Sequence, residues 1–400
     1  MSLADLLRAS RRHHPLLQAA RDEARAASEA VAQAQSAYRP SVTLEGSVSS
    51  AERDAVLQDG DSFDETISPR SASVRLDQVI YAGGRRALQM QAAAARSRLG
   101  QVGYRSEEQA VFAEIVQAYV QLSLARETVR IREETGGLIG RRREAVLARQ
   151  RVGDASRFDL SQTGARLART DADLATARVQ LDVARATLTS LTGSTLAINL
   201  DAFTEAGPLP PLDDLQRLAL DASPAVAEGE LRARTARLET ASAARQRLPT
   251  VSVTGSATTS QETSPVVDEE TNLQIGLALR MPLYQGGQVS SQTREAAARY
   301  RGARHRLDEQ RRRTELQVAT LHAELEGATA RIRTAGTGLA AARAALRGTE
   351  RSFEVGLTDE LRVLDAIEEQ LQAELALVVA RHEYFRSYLL IQLVTGRLGI

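Results

Sequence analysis

The chain contains no cysteine and no tryptophan, aromatic residues make up 4% of its 400 residues, and its 51 acidic side chains cancel its 51 basic ones. Without cysteine there is no disulfide, no thiolate metal site and no lipidated amino-terminal Cys, although an oxidising compartment is permitted. Few aromatics beside abundant Ala, Arg, Leu, Glu and Gln is the composition of long helices packed on small residues, not of a compact globular enzyme. Balanced charge supplies no global field to draw the chain onto nucleic acid. No run of eighteen apolar residues occurs, which excludes a transmembrane helix. The opening "MSLADLLRASRRHHP" lacks the apolar centre of a signal peptide, so an exported form is expected to have lost its signal.

What is present is internal repetition. Leu3, Asp5, Leu6, Arg8 and Pro15 reappear 209 residues later as Leu212, Asp214, Leu215, Arg217 and Pro224. "RPSVTLEGS" at Arg39 returns at the same offset as "LPTVSVTGS" at Leu248. The offset then falls to 203, carrying Gly83 and Gly84 onto Gly286 and Gly287, and Gly153 onto Gly356. A duplicated unit of this kind keeps the lengths of its packed helices and lets one loop vary.

Each half reads alike. A helix from about Pro15 ends at "YRP", and its copy at "RLP", because proline cannot continue a helix and pushes its predecessor to extended geometry. Alternating Val42, Leu44 and Val48, and later Val251 and Val253, predict strands with one apolar face. A second strand follows in each half, through Val74 and Leu76 and through Ile275, Leu277, Leu279 and Met281. The connecting segments Ser49 to Pro69 and Ser260 to Thr271 read as exposed acidic loops carrying Glu52, Asp54, Asp59, Asp61, Asp64 and Glu65; they lack the Gly and bidentate Glu spacing of a calcium loop.

Beyond each double glycine, Val111, Ile115, Ala118, Leu122, Ala125 and Val129 step by four and three, as do Thr314, Val318, Leu321, Leu325, Ala328 and Ile332. That is a coiled-coil seam. A helix from Arg85 to Val152 would reach about 100 Å at 1.5 Å per residue. Return helices carry Leu160, Leu167, Leu174, Leu181 and Leu188, and Leu364, Leu371, Val378 and Phe385, at intervals of seven. The expected organisation is a first repeat over 1–193 (strand pair 41–81, helical hairpin 85–191), a linker over 194–211, and a second repeat over 212–400 (strand pair 250–284, hairpin 288–395).

Four strands of roughly ten residues are long enough to cross a bilayer when tilted but cannot close a barrel, whose smallest membrane form needs about eight. Open edges are forbidden in lipid, so several chains would have to share one barrel. At this point "YAGGR" and "YQGGQ", the turns "RVGDASRFDL" and "EVGLTDELRVLDA", the segments "RPSVTLEG" and "LPTVSVTG", and the duplication itself resemble the TolC-like family of outer-membrane efflux and secretion channels. The resemblance covers nearly the whole chain. It implies a mainly α fold with a small membrane β part, a homotrimer forming a twelve-stranded β-barrel continued by a twelve-helix α-barrel. The location would be the bacterial outer membrane with a periplasmic extension. The partners would be outer-membrane lipid, a periplasmic adaptor and an inner-membrane transporter, with no cofactor and no nucleic acid.

On that resemblance, Tyr81, Gly83 and Gly84 with Tyr284, Gly286 and Gly287 form the joint where a membrane strand bends into a tunnel helix. A phosphate-binding loop would want Lys and Ser or Thr at fixed spacing, which neither copy supplies. Val152, Gly153, Val355, Gly356, Leu357 and Thr358 fall at the periplasmic tips that meet the adaptor, although Asp154 stands where the family usually has Leu. Any turn between two helices also favours glycine at its C-cap. Asp365, with Asp159 at the corresponding place of the first half, and Arg362 fall where the family narrows its tunnel entrance. Threefold symmetry would make rings of them, and Arg362 could pair with Asp365 or Asp159 and hold the tip closed. Solvated helix-surface charges are the plainer reading of each.

His13 and His14 are a poor metal pair, His305, His322 and His382 stand alone, and no hydrolytic triad or paired-carboxylate motif occurs, so no enzyme and no metal site is expected. The function that follows is a passive exit duct for a pump and adaptor, in type I protein secretion or multidrug efflux. The alternative is a soluble coiled-coil scaffold. A periplasmic adaptor would want one hairpin flanked by compact β domains.

Overall fold

A computed structural model of the chain describes residues 2–56, 62–193, 209–264 and 267–398. Asp59, Asp61 and most of the 194–211 linker lie outside them. Contacts divide the chain into two compact units, each drawn from both halves of the duplication.

The first unit comprises residues 1–22, 103–226 and 309–400. It holds the short helix α1 (Leu3–His13) and the start of α2 (Pro15–Ser36). Ser2 and Asp5 form a reciprocal capping box at the head of α1. The helix stops at His14 because the following Pro15 disfavours helical geometry at its predecessor and opens the next helix instead. The unit also contains most of the long helix α3 (Arg85–Arg151), its return partner α4 (Arg157–Thr192), and the short α5 (Leu212–Ala222). The second long pair follows the same plan, with α7 (Gln288–Glu354) and α8 (Glu360–Val394).

The seams are buried where the four-three stepping puts them. Val111, Ile115, Ala118, Leu122, Ala125 and Val129 are all buried, as are Thr314, Val318, Leu321, Leu325 and Ala328, while Ile332 at the end of the second seam is half-buried. One cluster gathers Leu6, Leu7 and Leu17 with Val111, Ile115, Leu188, Leu389 and Leu393, and a second gathers Leu215 and Ala219 with Val318, Leu321 and Ile391. The short helices α1 and α5 therefore dock as equivalent apolar wedges, each onto its own long helix.

The second unit comprises residues 23–102 and 227–308. It contains part of α6 (Pro224–Ala244) and a four-stranded antiparallel sheet of β1 (Ser41–Val48), β4 (Arg70–Ala82), β5 (Thr250–Ser264) and β6 (Val267–Arg280), in that spatial order. The pairing joins the two halves through β4 and β5. One face carries Val42 opposite Leu76, Leu44 opposite Val74, Val253 opposite Leu277 and Val251 opposite Leu279. The other carries Thr43 opposite Arg75, Glu45 opposite Ser73, Ser256 opposite Gln274 and Thr258 opposite Asn272. The apolar face is bare: Leu273 and Ile275 are each 83% exposed, and Leu44 and Leu277 each 75%.

The acidic segment expected to be a loop between the first two strands is instead a second hairpin, β2 (Ala51–Val56) paired with β3 (Ser62–Ile67). In the second half β5 and β6 continue through most of the expected loop. Backbone pairing in a two-stranded ribbon needs no apolar face, so polar segments extend the strands beyond their alternating portion.

At the base of the sheet Gly83 and Gly84 have φ +62° and +73°, and Gly286 and Gly287 have +56° and +83°. A Cβ on Gly83 would lie 2.6 Å from the Cβ of Leu248, whereas Gly286 faces open space. The first joint is thus closed by packing as well as by backbone conformation.

Candidate functional site at the helical tips

The turn from α3 to α4 and the turn from α7 to α8 close with the same pair of backbone bonds. The Gly153 N–H donates to the Gln150 carbonyl at 3.2 Å and the Asp154 N–H to the Arg149 carbonyl at 2.9 Å. Gly356 and Leu357 repeat this with Phe353 at 3.0 Å and Ser352 at 2.8 Å. This doubly bonded helix end requires a left-handed residue, supplied by Gly153 (φ +90°) and Gly356 (φ +77°). Val152, Val355 and Leu357 are then left exposed, Leu357 by 80%.

The residues that restart the helices differ. Ser156 and Asp159 form a full capping box, with the Ser156 hydroxyl 2.7 Å from the Asp159 carboxylate. The hydrogen bonds from Ser156, hydroxyl first, hold the Asp159 carboxyl below its ordinary range. In α8, Asp359 caps the helix alone, accepting from the Arg362 N–H at 3.0 Å. Asp159 and Arg362 each stand three residues after the cap, so the repeat equates these two with each other, not Asp159 with Asp365. Arg362 is exposed and pairs with neither aspartate; it makes no ion pair among the described residues.

Asp365 is held from the other hairpin instead. Arg166 of α4 donates to it at 2.7 Å and also pairs with Glu368, while Arg169 lies 3.8 Å from Glu368. A second cluster lies deeper. Glu360, 6% exposed at its side chain, binds Arg142 at 3.4 Å and Arg149 at 3.1 Å, and Arg142 also binds Glu350 at 2.8 Å. The ring of Phe353 lies against both guanidiniums, its centroid 4.7 Å from Arg149 and 6.0 Å from Arg142. Each cluster is charge-balanced, and each ties the first hairpin to the second.

Sequence reasoning singled out Asp365 but missed Arg166, Glu360, Arg142 and Arg149. Glu360 had the only legible signal, an acidic residue in the first turn after a capping Asp, which by itself speaks only of the helix dipole. Among the described residues no group of His, Asp and Glu is placed to hold a metal ion. No described helix is long and apolar enough to cross a membrane.

The family model for outer membrane efflux proteins matches this chain twice, over residues 6–194 and 215–397. The chain belongs to the outer membrane efflux protein family. The outer membrane efflux protein BepC of Brucella suis biovar 1 (strain 1330) is 26% identical over 396 residues, covering 98% of this chain and 84% of BepC. The proteases secretion protein PrtF of Dickeya chrysanthemi is 28% identical over 257 residues, covering 62% of this chain and 56% of PrtF. The solved outer-membrane channel OprN superposes with a TM-score of 0.84 at 22% identity, covering 98% of this chain and 89% of OprN, and so shares its fold. This is a family of channels, not of enzymes.

Proposed function

We propose that three copies of the chain pool their sheets into a twelve-stranded barrel through the outer membrane, continued by a twelve-helix periplasmic tunnel. The assembly is the passive exit duct of a tripartite export system, taking substrate from an inner-membrane transporter and a periplasmic adaptor to the exterior. The observation that carries this reading is the sheet: four strands, two edges with no partner strand among the described residues, and one bare apolar face. Unpaired N–H and C=O groups are not tolerated in lipid, so β1 of one copy must pair with β6 of the next. A soluble scaffold would leave Leu273, Ile275, Leu277 and Leu279 as a solvent-exposed stripe, which favours association or aggregation.

In this reading the adaptor meets the tips at Val152, Gly153, Val355, Gly356, Leu357 and Thr358. Asp159, Arg362 and Asp365 surround the entrance; Asp365 is already engaged by Arg166, whereas Asp159 and Arg362 carry opposite charges with no ion pair among the described residues. Energy comes from the pump, and nucleic acid is no partner. Protein secretion and multidrug efflux are the cargo classes, and the likeness to a protease-secretion protein favours the first. The sedimentation mass in detergent, corrected for bound detergent, tests the assembly: a trimer is expected. A monomer that stays soluble without detergent overturns the reading.

A further inference from the structure

The base of the sheet is strongly basic. Antiparallel order brings the starts of β1 and β5 and the ends of β4 and β6 to one level, and there stand Arg39, Arg85, Arg86, Arg245, Arg247 and Arg280. Residues 30–44, 78–106, 240–261 and 271–294 contain no Asp or Glu at all. None of the six arginines has an ion-pair partner among the described residues. The donors that are used reach uncharged groups: Arg85 donates to the Thr250 hydroxyl at 3.2 Å, Arg245 to the Gly84 carbonyl at 3.2 Å and Arg247 to the Ala244 carbonyl at 3.2 Å. Arg86 lies 5.1 Å over the ring of Tyr38. The opposite end of the sheet has the reverse character, with Glu52, Glu262, Glu269 and Glu270 exposed.

We infer that this arginine collar binds the phosphate groups of anionic phospholipids in the leaflet at the base of the barrel, an inference that rests on the sheet crossing a membrane. The collar is continuous with the bare apolar face. Tyr38, Tyr81, Leu283 and Tyr284 are exposed at its level, Leu283 and Tyr284 each by 89%, which is the mixture of rings and long cations that sits at a headgroup boundary. Guanidinium groups bind phosphate oxygens in pairs, and anionic headgroups supply the charge that the protein itself withholds here.

The test uses the purified full chain with vesicles of phosphatidylcholine alone and of phosphatidylcholine with phosphatidylglycerol. Lipids retained after gentle extraction are counted by native mass spectrometry. The wild type is expected to retain phosphatidylglycerol over phosphatidylcholine by about tenfold, and to lose the preference in high salt as screening shortens the reach of the charges. The triple substitution R39Q/R86Q/R280Q is expected to abolish most of the preference, and R39K/R86K/R280K to keep it, which separates loss of charge from loss of packing. Insertion into both vesicle types without any preference in the wild type overturns the collar and leaves the membrane reading standing. Failure to insert into either overturns the membrane reading itself.

Discussion

Replacing Glu360 by Gln removes the one carboxylate that holds both Arg142 and Arg149. Truncating one partner of a buried ion pair costs about 3–5 kcal/mol when the remaining charge has nowhere to go. Here Arg142 keeps Glu350 at 2.8 Å, Arg149 is 37% exposed and can be rehydrated, and the new amide still accepts one hydrogen bond. The loss should therefore fall below that range, at about 2–3 kcal/mol, close to one charge-assisted hydrogen bond. The free energy is lost where α3 meets α7 and the start of α8, so it weakens the contact between the two hairpins at the tips. At 1.4 kcal/mol per decade, local opening should rise roughly 30- to 150-fold. Backbone hydrogen exchange over Val363 to Ile367 reads this directly, because those amides exchange through local opening. Single-channel recordings of E360Q should show longer open times. Exchange within threefold of wild type would refute the idea that this cluster holds the hairpins together.

Three further outcomes are expected. Gly83→Ala should lower the yield of refolded protein in detergent far more than Gly286→Ala, because both impose about 1–2 kcal/mol of left-handed strain but only the first drives a Cβ into Leu248; equal yields would show that the packed joint is not needed. Leu357→Asp should weaken adaptor binding about tenfold or more in a pull-down titration, since Leu357 offers 80% of its surface at the tip, whereas Asp154→Ala should change it little. His382 is buried between Val378, whose carbonyl accepts from Nδ1–H at 2.7 Å, and Ser123, whose hydroxyl faces Nε2 at 3.1 Å. Burial pushes its pKa down against the weaker opposing pulls of the Val378 carbonyl and the Glu127 charge. The unfolded chain then takes up a proton near pH 6.5 that the folded chain refuses. The His382 contribution is thus complete above pH 6.5 and is lost as pH falls toward the folded value. The melting temperature of wild type should drop more between pH 7.5 and 5.5 than that of His382→Gln, and parallel pH profiles would sink this assignment.

Local rules made the skeleton legible. The proline at position 15, the glycines at 153 and 356 and the stepping from Val111 to Val129 mark starts, turns and buried faces, because each acts within a few residues of itself. The β2–β3 hairpin was not legible, since its segments lack alternation and pair through backbone alone. The ion clusters at the tips were hidden for a different reason. Arg142 and Glu360 are 218 residues apart, and Arg166 and Asp365 199 apart. Periodicity tells which face of a helix is buried, not which of the surface charges on a neighbouring helix it will meet. Duplication gave no help either, because the two tips have diverged at these positions: Glu360 occupies the place that Arg157 fills in the first half, and Asp365 the place of Gln162.

The free edges of β1 and β6 have a genetic consequence. An edge is useful only against a neighbour, so a copy with a damaged edge spoils a barrel whose other members are sound. With the proposed three copies to a barrel and equal expression of normal and damaged chains, about one assembly in eight would contain normal chains alone. Lesions along Ser41 to Val48 should therefore behave as dominant in a merodiploid cell, whereas lesions confined to an adaptor-facing tip should be diluted according to how many sound tips the adaptor needs.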